Sequence, residues 1–285
     1  LRQIRQLAVY DHGGCATGRR QDGKRINKPR IIMRDLIKHR RLIWELAVRD
    51  VKLRYRKPFL GFLWMLIIPF CTAFVYKVLF SDFMRMSSGK IPFFIHILTA
   101  MLPWAYFTSS ISSASQSILG SRGMINQISF PRQLLPLGTV LANLINFLPT
   151  ILVLILFLLF FKIPLSGLII FLPLVIIIQT CLIVGLALLV SGLQVIYRDV
   201  EYIIQLVLMV AFFLTPGVYT LEDLISRANP SLVGAYMLNP LVGILNLYRI
   251  VLIGGYLGYL PRQANLFNAL IIPILWALAA LFLGY

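Results

Sequence analysis

His96 is the sole histidine beside a long apolar stretch of this chain, and the chemistry open to it is narrow. A zinc hydrolase would place a second histidine four positions away with a glutamate between, and a proton relay would place an acid at the same depth. Neither surrounds His96, and the acid nearest an apolar run, Asp82, stands at its boundary. The stretch "FTSSISSASQS" holds Ser109, Ser110, Ser112, Ser113, Ser115 and Ser117 with no base beside them. Hydroxyls in an apolar helix serve close helix packing and cross-helix hydrogen bonds, or line a polar conduit. Gly13 and Gly18 have the spacing of a phosphate loop, but Arg19-Arg20 stands where Lys-Ser/Thr belongs, and no strand precedes them. Cys15, Cys71 and Cys181 make no paired framework. The chain is therefore expected to hold no catalytic residue, no metal ligand and no cofactor. An energised role would need ATP and Mg in a separate subunit.

What remains is the positioning of apolar helices. Hydrophobic residues make up 59% of the 285 and charged ones only 13%, outside the range of a soluble domain. Six runs are long enough to cross ~30 Å of hydrocarbon: roughly 59 to 80, 93 to 118, 134 to 161, 167 to 196, 201 to 218 and 264 to 285. The fold class expected is an all-α integral membrane protein with six transmembrane helices. A seventh stretch, 232 to 255, is broken by Asn239-Pro240 and carries Arg249, a costly charge in lipid. It reads as two short helices that enter the outer side of the membrane and return, covered by protein.

The net charge of +17 is not spread over a surface as nucleic-acid binding would require. Of the 27 Lys and Arg, 17 fall between Arg2 and Lys57 against five acids. This crowding before the first span puts the N-terminus in the cytoplasm. The loops near Arg122 to Arg132 and near Arg198 are then cytoplasmic, while Arg85, Lys90, Lys162 and the 219 to 262 segment face outward. Residues 1–34 are polar, glycine-rich and basic, and are expected to form a flexible cytoplasmic tail. No cleavable signal peptide is visible, and both ends of the chain are expected to be incomplete.

Residues 35–57 form an amphipathic helix expected to lie along the interface. Trp44, Val48, Val51 and Tyr55 share one face, Glu45, Arg49, Lys52 and Arg56 the neighbouring one, and Leu42, Leu46 and Leu53 a second apolar strip. Two greasy strips divided by charge suit a helix that touches lipid on one side and protein on the other. Loop 119–133, "LGSRGMINQISFPRQ", is too apolar for a solvated loop: Met124, Ile125, Ile128 and Phe130 recur at near-helical spacing, as in a docking element. In "VIYRDVEY", Arg198 can pair with Asp199 or Glu201.

Five pieces in register, "RDVKLRYRKPFLGFLWMLIIPF", "NQISFPRQLLPL", "VIYRDVEYI", "FFLTPGVYTLEDL" and "LNPLVGILNLYRIVLIG", resemble the permease subunits of type-2 ABC exporters of lipid-linked polysaccharides, such as O-antigen, capsule and teichoic acid. The resemblance covers residues 35 to 285, with 58–285 as the transmembrane domain. It implies a homodimer in the cytoplasmic (inner) membrane, joined to two copies of a separate nucleotide-binding ATPase, with a lipid-linked glycan as substrate. Carried onto matching positions, it implies ATPase coupling by Arg49, Lys52, Arg54 and Arg56, and by Asn126, Gln127, Ile128, Phe130, Pro131 and Arg132. It makes Tyr197, Arg198 and Asp199 a cytoplasmic gate turn, and puts Asn239, Pro240, Tyr248 and Arg249 in the outer re-entrant pair. The short basic tail that usually follows the family's last span has no counterpart here.

A sugar chain slides most easily over flat aromatic faces, which makes Trp64, Tyr76, Trp104, Tyr106 and Phe107 conduit candidates. Packing, or an interfacial aromatic belt, accounts for the same residues. The alternative functions are a type-2 exporter of a drug or small lipid, and an ATP-independent carrier.

Overall fold

The computed structural model describes residues 39–55, 63–85, 91–121, 123, 131–221, 224, 230–256 and 266–284. Helix α1 is Arg40–Tyr55; α2 is Trp64–Tyr76, running on as a π-helical segment over Lys77–Phe83. Then come α3 (Phe93–Gly120), α4 (Leu134–Phe160), and a 3-10 turn (Gly167–Phe171) that leads into α5 (Leu172–Ile196). The rest are α6 (Val200–Phe213), α7 (Pro230–Met237), α8 (Pro240–Leu252) and α9 (Leu266–Gly284). The described residues hold no strand beyond one isolated bridge, Leu165 to Ile253. The all-α expectation holds.

Among the described residues, four helical stretches are long and apolar enough to cross a membrane: Leu66–Phe83, Phe93–Gly120, Leu134–Phe160 and Gly167–Ile196. The run expected at 201 to 218 is shorter as a helix. α6 ends at Phe213 because Pro216 has no N–H to continue the ladder, and the chain turns with Gly217 N–H donating to the Thr215 carbonyl at 2.7 Å. Its 14 residues reach ~21 Å. At 264 to 285 the described helix is Leu266–Gly284.

Helix α3 is the central post. Its apolar stretch is 72% buried, against 6% for Leu66–Phe83 at the periphery. Large side chains such as Phe74, Phe83, Phe160, Leu206, Met209 and Phe282 stand exposed on the outer helices. Water would make that surface costly, whereas lipid accepts it. Several apolar helices of this kind make the chain a multi-pass membrane protein.

Between two helices already in hydrocarbon there is no gain from escaping water, so close van der Waals contact has to hold them. Small residues supply it. A Cβ on Gly185 of α5 would lie 2.5 Å from the backbone of Ala280 and Leu281 in α9, and one on Gly284 would run into the Gly185 carbonyl. At the other end of α9, a Cβ on Gly243 of α8 would sit 2.7 Å from Pro273 Cγ and 2.9 Å from the Ala269 carbonyl oxygen.

The 232 to 255 stretch is two helices, broken where expected. Asn239 caps α8 through its side-chain oxygen, which accepts from Leu241 N–H at 3.0 Å, and Pro240 occupies the first helical position. All of α8 from Leu241 to Leu252 is buried.

Candidate functional site

The basic helix α1 lies against α4. Leu46 packs with Leu134 and Leu135, flanked by Leu42 and Ile43, and Gly138 lets the two backbones close, a Cβ there falling 2.9 Å from Leu46 Cβ. Leu42 and Leu46 are therefore the protein-facing strip. Leu53, expected with them, is 60% exposed, as Trp44 on the other strip is at 54%. Along the contact Thr139 donates to Asp50 at 3.3 Å, and Arg54 Nη1 donates to Asn143 Oδ1 at 2.8 Å. Arg49 pairs with Asp50 at 2.8 Å.

Thr139, Asn143, Asn146 and Thr150 follow one another at i, i+4, i+7 and i+11, a polar stripe on a span that is otherwise nearly all apolar. The stripe faces inward. Asn143, Asn146 and Thr150 line a cavity of about 510 Å³ together with Arg54, Tyr55, Trp64, Ser109, Tyr106 and Phe147. Asn143 is satisfied by Arg54 and by the Thr139 carbonyl at 3.1 Å. Asn146, 5% exposed, finds a partner for neither amide atom among the described residues. Burial raises the Tyr55 phenol above its usual range, with the Arg54 charge pulling the other way. Tyr55 thus presents an O–H rather than a phenolate. A second, more polar cavity of about 280 Å³ adjoins toward the Gly120 end of α3, lined by Arg49, Asp50, Arg54, Gln116 and Thr139 among others. Arg54 borders both.

The aromatic candidates divide into two groups. Trp64, 45% exposed, and Tyr106, 3% exposed, line the larger cavity. Tyr106 stacks on Phe147 at 4.7 Å between ring centroids and 10° between planes, and its hydroxyl meets Thr180 at 3.1 Å. Trp104, Phe107 and Tyr76 instead join a cluster around α6: Trp104 lies 5.7 Å from Phe107 and 5.5 Å from Phe212, and Tyr76 stacks on Phe212 at 6.0 Å.

From the cavity wall the contacts continue to α8. Phe147 meets Tyr248 edge-on at 6.1 Å, Tyr248 donates to Gln179 Oε1 at 2.7 Å, and Gln179 Nε2 donates to the Pro103 carbonyl at 2.8 Å. Tyr248 and Arg249 are both fully buried. Arg249 Nη2 donates to the His96 carbonyl at 3.3 Å and the Gly217 carbonyl at 3.2 Å, fastening α8 to α3 and to the turn after α6. His96 is buried beside Phe93 and serves here through its backbone. Asn239 adds a further tie, Nδ2 to the Leu214 carbonyl at 3.3 Å. Asp82 pairs with Lys77 at 2.8 Å.

The turn Tyr197, Arg198, Asp199 is exposed, Tyr197 at 64%. Glu201, offered above as a partner for Arg198, instead meets Gln116 of α3, and the Arg198 carbonyl accepts from Gln194 Nε2 at 3.1 Å. The reason is reach: Glu201 stands in the first turn of α6, which packs on α3. Arg54 reaches Asn143 of α4 but is exposed, as Lys52 is, and half-buried Arg49 pairs with Asp50 on its own helix. Arg56, Asn126, Gln127, Ile128 and Phe130 lie outside the described residues, as do Met124, Ile125 and the tail 1–34; Pro131 and Arg132 are exposed at the entry to α4. Sequence reasoning passed over Asn143, Asn146, Thr150 and Gln179. The i, i+4, i+7, i+11 stripe was the available signal for the first three.

A profile described as ABC-2 type transporter matches residues 41–253. An O-antigen export system permease protein RfbA of Myxococcus xanthus is 32% identical over 254 residues, covering 88% of this chain and 95% of the relative. A protein of the same name from Klebsiella pneumoniae is 28% identical over 228 residues, 79% of this chain and 85% of the relative. The matched span takes in α1, the polar stripe of α4, the 195 to 203 turn and α8, so the cavity and its supports lie within it, and the chain belongs to the ABC-2 type transporter family.

Proposed function

We propose that the chain is the permease subunit of an ATP-driven exporter that moves a lipid-linked polysaccharide, an O-antigen, capsule or teichoic acid chain, across the cytoplasmic (inner) membrane. The observation that carries this reading is the extent of the likeness to O-antigen export permeases, which runs over 95% of the length of one of them. The cavity fits the same cargo. Amides, hydroxyls and a guanidinium give a sugar hydrogen-bond partners, and Trp64, Tyr106 and Phe147 give it aromatic walls.

In this reading two copies of the chain work with two copies of a separate ATPase, which holds the ATP and Mg. The N-terminus is cytoplasmic and the membrane is crossed six times, with α6 and α9 as the fifth and sixth crossings. α7 and α8 form the re-entrant pair on the outer side, where protein covers the break at Asn239-Pro240. The ATPase meets loop 119–133, through Asn126 to Arg132, and the basic residues Arg49, Lys52, Arg54 and Arg56 of the interface helix. Among these, Lys52 and Arg54 are exposed and Arg49 is held by Asp50. Tyr197, Arg198 and Asp199 border the cytoplasmic mouth.

The test is co-purification of the detergent-solubilised chain with the ATPases of its own cell, with Phe130→Asp as control. A stoichiometric nucleotide-binding partner that Phe130→Asp loses is the expected result. Arg132→Glu should cut transport and stimulated ATPase activity about tenfold or more while membrane insertion stays normal, because reversing one charge at a protein interface costs several kcal/mol. Normal transport by both variants, or no ATPase bound to an intact chain, would overturn the assignment.

A further inference from the structure

Asn146 has no structural task to explain it. It sits at 5% exposure on α4, its carbonyl oxygen and its amide nitrogen both lack a partner among the described residues, and it faces the 510 Å³ cavity. A buried amide left unmet is a standing cost, and leucine would serve packing better. Three residues earlier on the same face, Asn143 presents its oxygen to Arg54 and so aims the guanidinium at the cavity. One N–H of Arg54 is used in this way. Among the described residues no ion pair involves Arg54, whereas Arg49, one turn earlier on α1, is neutralised by Asp50. The site therefore combines a guanidinium without an ion pair among the described residues, an unmet amide, and apolar and aromatic walls that include Ile68 and Leu102.

We infer that Arg54, Asn143 and Asn146 form, within each protomer, a subsite for the phosphate or pyrophosphate that joins lipid to glycan in the cargo. This deepens the permease reading and rests on it. A guanidinium offers a planar fork that matches phosphate oxygens, and the buried Asn146 amide in the wall of the same cavity holds an unused donor that a turn of its side chain would present. A small soluble anion would have no use for the apolar side of the cavity, and a neutral lipid no use for the charge. An amphiphile with a charged joint uses both. Arg54 also borders the 280 Å³ polar cavity, but there Gln116 and Thr139 already donate to Glu201 and Asp50, so the phosphate is placed on the side of the larger cavity. Under the proposed topology this joint lies at the cytoplasmic membrane boundary, the depth at which a lipid's phosphate sits.

The sources of such a phosphate are separable. The full chain with its co-purified ATPase is placed in phosphatidylcholine nanodiscs, and bound farnesyl pyrophosphate, a short isoprenoid carrying the charged joint, is measured by native mass spectrometry. The wild type should bind it and an equal concentration of phosphatidylglycerol should leave it in place. Arg54→Gln should bind about tenfold more weakly, the scale of one charge-assisted hydrogen bond. Arg54→Lys, which keeps the charge and loses the fork, should fall between. Asn146→Asp keeps the size and adds a repelling charge, so it should bind more weakly than Asn146→Leu, and it carries the test if Arg54→Gln does not fold. Binding unchanged in Arg54→Gln and Asn146→Asp overturns the subsite. Displacement by phosphatidylglycerol overturns the cargo assignment and leaves a general lipid-headgroup site. Loss of the ATPase partner with binding intact sinks the permease reading, whereas an intact complex whose variants bind as the wild type sinks the subsite alone.

Discussion

Arg249→Ala should lower the stability of the solubilised protein by about 3 kcal/mol or more, read as a drop in thermal midpoint. Three contributions add. The fully buried side chain leaves a void, its aliphatic stem no longer packs, and the Gly217 carbonyl loses the donor that reaches it. The opposing effect is real, since removing a buried charge recovers its desolvation cost. Arg249→Met separates the two: it refills the volume and drops the charge while supplying no donor. If packing dominates, Met recovers most of the lost stability. If the tie to His96 and Gly217 dominates, Met stays close to Ala. We expect the second, because Nη2 alone bridges carbonyls on α3 and on the turn after α6, elements separated by more than a hundred residues of chain. A Met variant as stable as wild type would show that Arg249 is not the fastener of α8.

Gly185→Leu should be more damaging still to the placement of α9. The atoms a side chain would meet, the Ala280 carbonyl carbon and the Leu281 nitrogen, are backbone and cannot rotate away. α9 must then move as a body, and Gly284, which faces the Gly185 carbonyl, moves with it. Overpacking a core costs about 1–3 kcal/mol when side chains can adjust, so a clash with backbone should cost at least ~3 kcal/mol. The measurement is protease protection of α9 together with yield of folded protein after solubilisation. Gly185→Ala should already be strongly affected, since its Cβ alone meets that backbone, and Gly185→Leu more severely. A Gly192→Ala control, where a Cβ meets nothing within 4 Å, should be neutral. Equal behaviour of Gly185→Leu and Gly192→Leu would remove close backbone approach as the reason for glycine at position 185.

Membrane character, the break at Asn239-Pro240 and the boundaries of Phe93–Gly120, Leu134–Phe160 and Gly167–Ile196 were open to reading along the chain, because each depends on local properties: run length, hydropathy and the missing N–H of proline. The end of α6 depended on Pro216 in the same way, and the apolar run past Phe213 hid it. Leu53 shows the limit of a helical wheel. It shares a strip with Leu42 and Leu46, yet Leu46 packs on Leu134 and Leu135 while Leu53 stands 60% exposed.

Apolar spans, a basic N-terminal helix and a family likeness are properties of residue order, and hydrocarbon and charge act on them one segment at a time. Which side chains meet is a different matter. Arg54 finding Asn143 across 89 positions, Tyr248 finding Gln179 across 69 and Arg249 finding His96 across 153 depend on where helices cross. In a membrane that crossing is set by small-residue contacts such as Gly138 on Leu46 and Gly185 on Ala280, whose partners no local pattern names. The polar stripe of α4 was present in the order of residues throughout, and only the arrival of α1 beside it turned a stripe into a cavity.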